Sequence, residues 1–173
     1  MTPIISQLLP AEYEVILDIA PQAFMESYAH HNSEENMRKY MSQSFNPEQI
    51  KSELTDSRNY FFVAHLHNAL VGYTKLRTSE APEQLALQNP IELERIYVLK
   101  KYHDQKLGAA LMSHAIQFAK EQAHQVLWLG VWQGNHRAVQ FYQRWGFETF
   151  GTHEFMLGDD RQTDWLLNLS LKS

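Results

Sequence analysis

The run Leu127 to Phe147, LWLGVWQGNHRAVQFYQRWGF, constrains this chain more than any other stretch. Val126 to Trp132 is almost entirely apolar, as a strand covered on both faces must be. Asn135 can cap a helix carrying Ala138, Val139, Tyr142 and Trp145, and Gly146 supplies its C-terminal stop. Upstream, LERIYVLKKYHDQKLGAALM (Leu93 to Met112) again runs from strand through loop into helix. Two strand-to-helix units side by side predict a cleft between splayed parallel strands.

The remaining elements fit around this centre. Pro3 to Leu8 reads as a short strand, and Pro10-Ala11 opens a helix with Tyr13, Ile16, Leu17, Ala20 and Phe24 on one stripe. Ser33 precedes a helix with Glu34 and Glu35 in its first turn. Asn46-Pro47 starts another helix that runs to about Leu54. Tyr60 to His67 and Leu70 to Leu76 predict a hairpin turning at Asn68-Ala69. Thr78 to Pro90 reads as a loop, Ile91 to Val98 as a strand and Leu107 to Ala119 as a helix. Phe147 to Met156 and Thr163 to Leu169 close the chain as a strand pair, and Gly158-Asp159-Asp160 reads most simply as a turn, with the lining of a cation site as its other reading. The order β-α-α-α-β-β-β-α-β-α-β-β predicts an α/β fold with a mixed sheet and one parallel centre.

Length and charge narrow the function. The 173 residues suit one domain, 1–173, large enough to need no disulfide or metal staple. The absence of cysteine excludes thiolate nucleophiles and thiolate metal sites. A net charge of −5 argues against nucleic acid as a partner and is compatible with a cationic substrate. No apolar run is long enough to span a bilayer and the first residues lack a basic leader, so the expectation is a cytoplasmic protein without a membrane partner. Of the nine histidines, His65 and His67 share a strand face and His30-His31 are adjacent, a spacing that can bind metal, but no nearby carboxylate triad is evident; surface or core histidines are the plainer reading and no metal is expected.

The loop Lys101 to Gly108 lies between a strand end and a helix start, where unpaired N–H groups and the helix dipole form an anion site. Gly108, Ala109 and Ala110 are small enough to let a phosphate approach the backbone; a loop with a packing glycine is the plainer reading. Together the two units resemble the acyl-CoA-binding heart of the GNAT acetyltransferases. The resemblance implies a mostly antiparallel sheet, a splayed parallel central strand pair, flanking helices and acetyl-CoA as co-substrate. It places the CoA phosphates on His103, Asp104, Gln105, Lys106, Leu107, Gly108, Ala109 and Ala110. His103 and Lys106 depart from the family pattern, which carries Arg or Gln and then Gly at those places. Lys106 therefore requires a backbone conformation tolerable to a residue with a Cβ, and its ammonium could meet a CoA phosphate instead.

The resemblance also implies that main-chain groups of Ile96, Tyr97 and Val98 bond the pantetheine arm like an added strand. Asn135 and Ala138 would contact the same arm, although Asn135 also reads as a helix cap. Tyr142 matches the acid that protonates the departing thiolate, with a packed helix aromatic as its other reading. Glu94 would take the amine proton directly or through water. Glu92, two residues away on the same face, would attract the cation, unless both are edge charges.

Phe24 to Leu54, the strands LERIYV and WLGVW, and FMLGDDRQTDWLL (Phe155 to Leu167) extend the resemblance to PaiA-type polyamine N-acetyltransferases over nearly the whole chain. This implies direct attack of spermidine or spermine on acetyl-CoA, with Phe24 to Leu54 helping to cover the acceptor site. Glu34, Glu35 and Tyr40 are candidate acceptor contacts there, with surface charge and core packing as their plainer readings, and Glu92 and Trp132 are further candidates. A homodimer is compatible with the resemblance. Other acceptors (a protein N-terminus, an amino acid, an amino-drug) and a weakly catalytic CoA-binding regulator remain open on sequence alone.

Overall fold

The computed structural model describes residues 2–172. The strands are β1 (Ile4–Gln7), β2 (Asn59–Leu66), β3 (Ala69–Arg77), β4 (Pro90–Val98), β5 (Val126–Trp132), β6 (Glu148–Leu157) and β7 (Asp160–Ser170). The helices are α1 (Tyr13–Tyr28), α2 (Glu34–Ser44), α3 (Pro47–Thr55), α4 (Leu107–Glu121) and α5 (His136–Arg144). Their order along the chain is the one the sequence predicts. One sheet holds all seven strands in the order β1-β2-β3-β4-β5-β7-β6, and only β4 and β5 run parallel.

Alternation divides the sheet's side chains between two cores. Phe61, Val63 and Tyr73 face α1, α2 and α3, where Ile16, Phe24, Met37 and Ile50 are buried. Phe62, Leu76, Ile91 and Leu127 face α4 and α5, where Met112, Ala115, Ala119 and Tyr142 pack. Each fully buried aliphatic side chain contributes about 1.5–3 kcal/mol relative to exposure. The caps form as expected: Ser33 accepts from the Asn36 N–H, Asn46 from Gln49 and Asn135 from Ala138.

Several boundaries differ from the sequence reading. The β2–β3 turn is His67-Asn68, not Asn68-Ala69. His67 has φ 50° and Asn68 has φ 66°. Positive φ at both positions matches the twist that a two-residue hairpin turn needs. His67 thus lies outside the strand and shares no face with His65. Pro10–Glu12 forms a 3-10 turn ahead of α1. The loop 78–90 contains a 3-10 helix at Glu83–Gln88, because Leu85 is buried against Val126, Trp128 and Leu166. Pro90 already belongs to β4. Gly158-Asp159 makes the final turn, which docks on α2 through Lys39 Nζ to Asp159 Oδ1 at 2.6 Å.

Candidate active site

The site begins where the two parallel strands part. β4 and β5 pair only at Pro90–Val126, Ile91–Leu127 and Glu92–Trp128. Beyond Glu92, β4 bonds only to β3, and β5 continues against β7. The facing edges of Leu93–Val98 and Leu129–Trp132 therefore lack a strand partner in the middle of the sheet. A main-chain edge left open in this way can accept an extended ligand.

A cavity of about 540 Å³ occupies this opening. Ile96, Tyr97 and Val98 line one side, and Gly130, Val131, Asn135, Ala138 and Tyr142 line the other. Lys100, His103, Lys106, Arg137 and Arg144 bring basic side chains to the same cavity, beside Gly108 and Ala109 at the start of α4. A Cβ on Gly108 would touch only the Phe141 ring, at 3.7 Å, so the space above the helix start is open. Cationic side chains, free N–H groups of the first helical turn and an open strand edge fit the phosphates and amide arm of a CoA thioester.

Two loop residues behave differently from expectation. Lys106 is left-handed, with φ 58° and ψ 26°. A glycine would adopt that conformation most readily. The glycine-like geometry is thus kept with a lysine in it, and the chain bears the steric cost of the Cβ. His103 Nε2 lies 2.8 Å from the Val98 carbonyl oxygen. A carbonyl only accepts, so this nitrogen carries the proton. The ring ties the loop to the end of β4. Asp104 and Gln105 are exposed and lie outside the cavity lining. Ala110 also lies outside it. Leu107 is 1% exposed and its side chain belongs to the core with Leu111 and Val71.

Tyr142 projects from α5, with Phe141 and Phe147 edge-on to its ring at 5.5 and 5.7 Å. Burial pushes its pKa far above the ordinary phenol value, so the hydroxyl keeps its proton at neutral pH. Asn135 Oδ1 accepts the Ala138 N–H at 3.1 Å, while its amide donors have no protein acceptor among the described residues.

A second cavity of about 400 Å³ meets the first at Tyr28, Tyr97, Glu94, Arg95 and Gly130. Its walls include Phe24, Tyr40, Trp128, Trp132 and Phe155, with Glu80, Glu92, Glu94 and Asp164 as carboxylates. A β-bulge shapes it. Lys75 pairs with Arg95 and Leu76 with Leu93, so Glu94 is the extra residue in β4. The bulge resets the alternation, and Glu92, Glu94, Arg95 and Tyr97 all reach this cavity.

Most of these charges are already paired. Lys75, 3% exposed, lies 2.6 Å from Glu53 and 2.5 Å from Glu94. Arg77 Nε donates to Glu92 at 2.5 Å, and Arg77 also lies 3.4 Å from Glu94. Burial raises the Glu94 pKa, but Arg95, Lys75 and Arg77 together pull it below the ordinary carboxylate value. A carboxylate held ionised by three cations is a weak proton acceptor, which counts against Glu94 as the base. Burial outweighs Arg77 at Glu92 and raises its carboxyl. Asp164 differs, because it forms no ion pair or side-chain hydrogen bond among the described residues. Burial raises its pKa, with His153 opposing.

Tyr40, Glu92 and Trp132 line the second cavity. Glu34 and Glu35 do not; both are exposed in the first turn of α2, where they complement the helix dipole. Sequence reasoning missed Tyr28, Gly130, His153 and Asp164. Gly130 is signalled by its place between two tryptophans in WLGVW, and Asp164 by its place at the end of GDDRQTD. Among the described residues no group of three His, Asp or Glu side chains could hold a metal. No helix among them is long and apolar enough to cross a membrane.

Comparison with known proteins agrees with this geometry. The acetyltransferase (GNAT) family model matches residues 14–147. An uncharacterized N-acetyltransferase in the pepI 3′ region of Lactobacillus delbrueckii subsp. lactis is 33% identical over 167 residues, 96% of each chain. The spermidine N(1)-acetyltransferase of Thermoplasma acidophilum is 24% identical over 152 residues, 86% of this chain and 89% of its own. The PaiA N-acetyltransferase of T. acidophilum, solved in complex with coenzyme A, has the same fold (TM-score 0.78, 21% identity), covering 98% of this chain and 99% of that one. An N-acetyltransferase from Staphylococcus aureus shares the fold at TM-score 0.69 and 17% identity, covering 99% and 100%. The matched span contains both splayed strands and the helices that follow them, and the protein belongs to the GNAT family as an acetyl-CoA-dependent N-acetyltransferase.

Proposed function

We propose that the acceptor is a polyamine of the spermidine or spermine type, acetylated on a primary amine by direct attack in a ternary complex. The observation that carries this reading is the second cavity: aromatic faces with four carboxylates against two guanidinium groups, joined to the strand opening at Gly130 and Tyr28. Aromatic faces attract ammonium ions and alkyl chains alike, and the excess of carboxylates suits an acceptor with more than one positive charge. The 24% identity to a spermidine N(1)-acetyltransferase supports the same substrate class.

Bound in the strand opening, acetyl-CoA supplies an activated acyl carbon. In this reading the main chain of Ile96 and Val98 and the free amide donors of Asn135 hold the pantetheine arm. Lys106 and the N–H groups of Leu107 to Ala109 face the phosphates. Val98 can offer its N–H but not a wholly free carbonyl, since His103 donates to that oxygen. Tyr142 gives its phenolic proton to the departing thiolate, and its dry surroundings keep that proton in place until then.

The test is the initial rate of CoA release from acetyl-CoA with spermidine, for the wild type and Tyr142→Phe. Saturable turnover with a kcat loss of about 100-fold or more in the variant supports the reading. No turnover above spontaneous hydrolysis removes spermidine from consideration.

A further inference from the structure

We infer that Asp164 of β7 is the group that receives the acceptor ammonium and takes its proton. The inference rests on the acceptor cavity assigned above, but not on the acceptor being a polyamine.

The carboxylates that line the cavity are not equivalent. Glu92 and Glu94 are held by Arg77 and Lys75. Glu80 is exposed at the cavity's outer edge. Asp164 alone is half-buried and forms no ion pair among the described residues, with only the imidazole of His153 as a cross-strand neighbour that can carry positive charge. Its location is also the right one. Gly130 separates the two cavities, and a Cβ built there would lie 3.3 Å from Asp164 Oδ2. The missing side chain lets Asp164 and the His153 ring, 3.7 Å from the same point, pack close against the one β5 residue that lines both cavities. Tyr28 lines both cavities, the first together with Tyr142 and the second together with Asp164. An amine held where the cavities meet, at Gly130 and Tyr28, lies between a proton acceptor in one and a proton donor in the other.

The protons balance. The ammonium R–NH3+ gives one proton to the Asp164 carboxylate, leaving R–NH2 and a carboxylic acid. The nitrogen lone pair forms the C–N bond to the acyl carbon while the C–S bond breaks and sulfur takes the Tyr142 proton. The nitrogen's second surplus proton replaces the one Tyr142 gave. The proton on Asp164 leaves to water past His153, its exposed cross-strand neighbour, giving the one proton released overall. The groups facing Asp164 are His153 from β6 and Tyr28 from α1, with Glu92 of β4 and Glu80 across the cavity. Burial, which raises the Asp164 pKa, makes it a stronger base than an ordinary aspartate, whereas the cations around Glu94 make that group a weaker one.

Two measurements test this. In the first, kcat/KM with spermidine is followed against pH for the wild type, Asp164→Asn and Glu94→Gln. Asp164→Asn should lose about 100-fold near pH 7. The loss should shrink near pH 10, where alkyl ammonium ions with pKa about 10.4 deprotonate unaided. Glu94→Gln should keep the wild-type acidic limb. In the second, CoA-saturated enzyme labelled with carbon-13 at the aspartate carboxyls is titrated by NMR with and without n-butylammonium. The Asp164 signal, identified by its absence in Asp164→Asn, should titrate at lower pH when the cation is bound. An unmoved signal, or wild-type turnover by Asp164→Asn near pH 7, overturns the inference. Absence of spermidine turnover with a shifted Asp164 signal removes the polyamine reading and leaves this one standing.

Discussion

Replacing Lys75 by Met should destabilise the protein by about 3 kcal/mol near pH 7. Breaking a buried ion pair costs about 3–5 kcal/mol because it leaves an uncompensated charge behind. Lys75 is 3% exposed and serves two carboxylates, Glu53 at 2.6 Å and Glu94 at 2.5 Å. Without it, Glu53 keeps Arg95 at 3.4 Å, and Glu94 keeps Arg77 at 3.4 Å and Arg95 at 3.9 Å. These remaining partners place the loss at the low end of the range. Met fills the space of the lysine stem, so little cavity cost is added. For a chain of this length each kcal/mol moves Tm by about 2–4 °C, so a fall of about 6–12 °C is expected. The effect should depend on pH. Glu94 has a folded pKa below its ordinary 4.5, so its stabilising contribution is present above that value and lost as pH falls through the folded pKa. Loss of Lys75 raises the folded pKa and removes part of that contribution in advance. Wild type and variant should therefore converge below about pH 4.5. Urea unfolding at a series of pH values measures both quantities. A loss under about 1 kcal/mol near pH 7 would show that desolvation already cancels the pair. A loss of constant size across the acid range would refute the electrostatic account.

Three further outcomes follow from single positions. Lys106→Gly should stabilise by about 0.5–1 kcal/mol, since relief of a left-handed side chain exceeds the added freedom of the unfolded chain. The same change should weaken CoA by about two- to fivefold in low salt if the ammonium meets a phosphate; calorimetry reports the affinity, and an unchanged value removes that contact. Gly158→Ala should cost about 2 kcal/mol or more in denaturant unfolding. Its Cβ would collide with the side chain and backbone of Asn36, at a φ of +62°. Asn135→Ala should lose about 1 kcal/mol of stability with its cap; a separate loss of CoA affinity would locate the pantetheine contact at its amide.

The element order and the strand-to-helix units were legible because each rests on local rules: alternation, helical periodicity, caps at Ser33, Asn46 and Asn135, and the stop at Gly146. The small residues after Lys106 were legible in the local sequence, whereas Glu94 and the phenol at Tyr142 were picked out through the family resemblance. Glu34 and Glu35 could not be placed in that way. An acidic first turn satisfies a helix N-terminus whatever lies near it, and here neither glutamate lines the cavity.

Chain order left open which side chains meet. Strict alternation along β4 would place Ile96 and Val98 on the face of Glu94. The bulge at Glu94 instead brings Arg95 and Tyr97 to that cavity, while Ile96 lines only the one at the strand opening. A bulge depends on the register with β3, which no local pattern in β4 encodes. The ionic state of Glu94 depends on Lys75 and Arg77 from that neighbouring strand. Asp164 forms no ion pair among the described residues, since β5 and β6 set only Trp132 and His153 opposite it. Local pattern was therefore enough for the elements, the family resemblance and the residue types at the site. Which carboxylate is neutralised and which is free came from the assembled sheet, because charge pairing is set by distances across strands far apart in the chain.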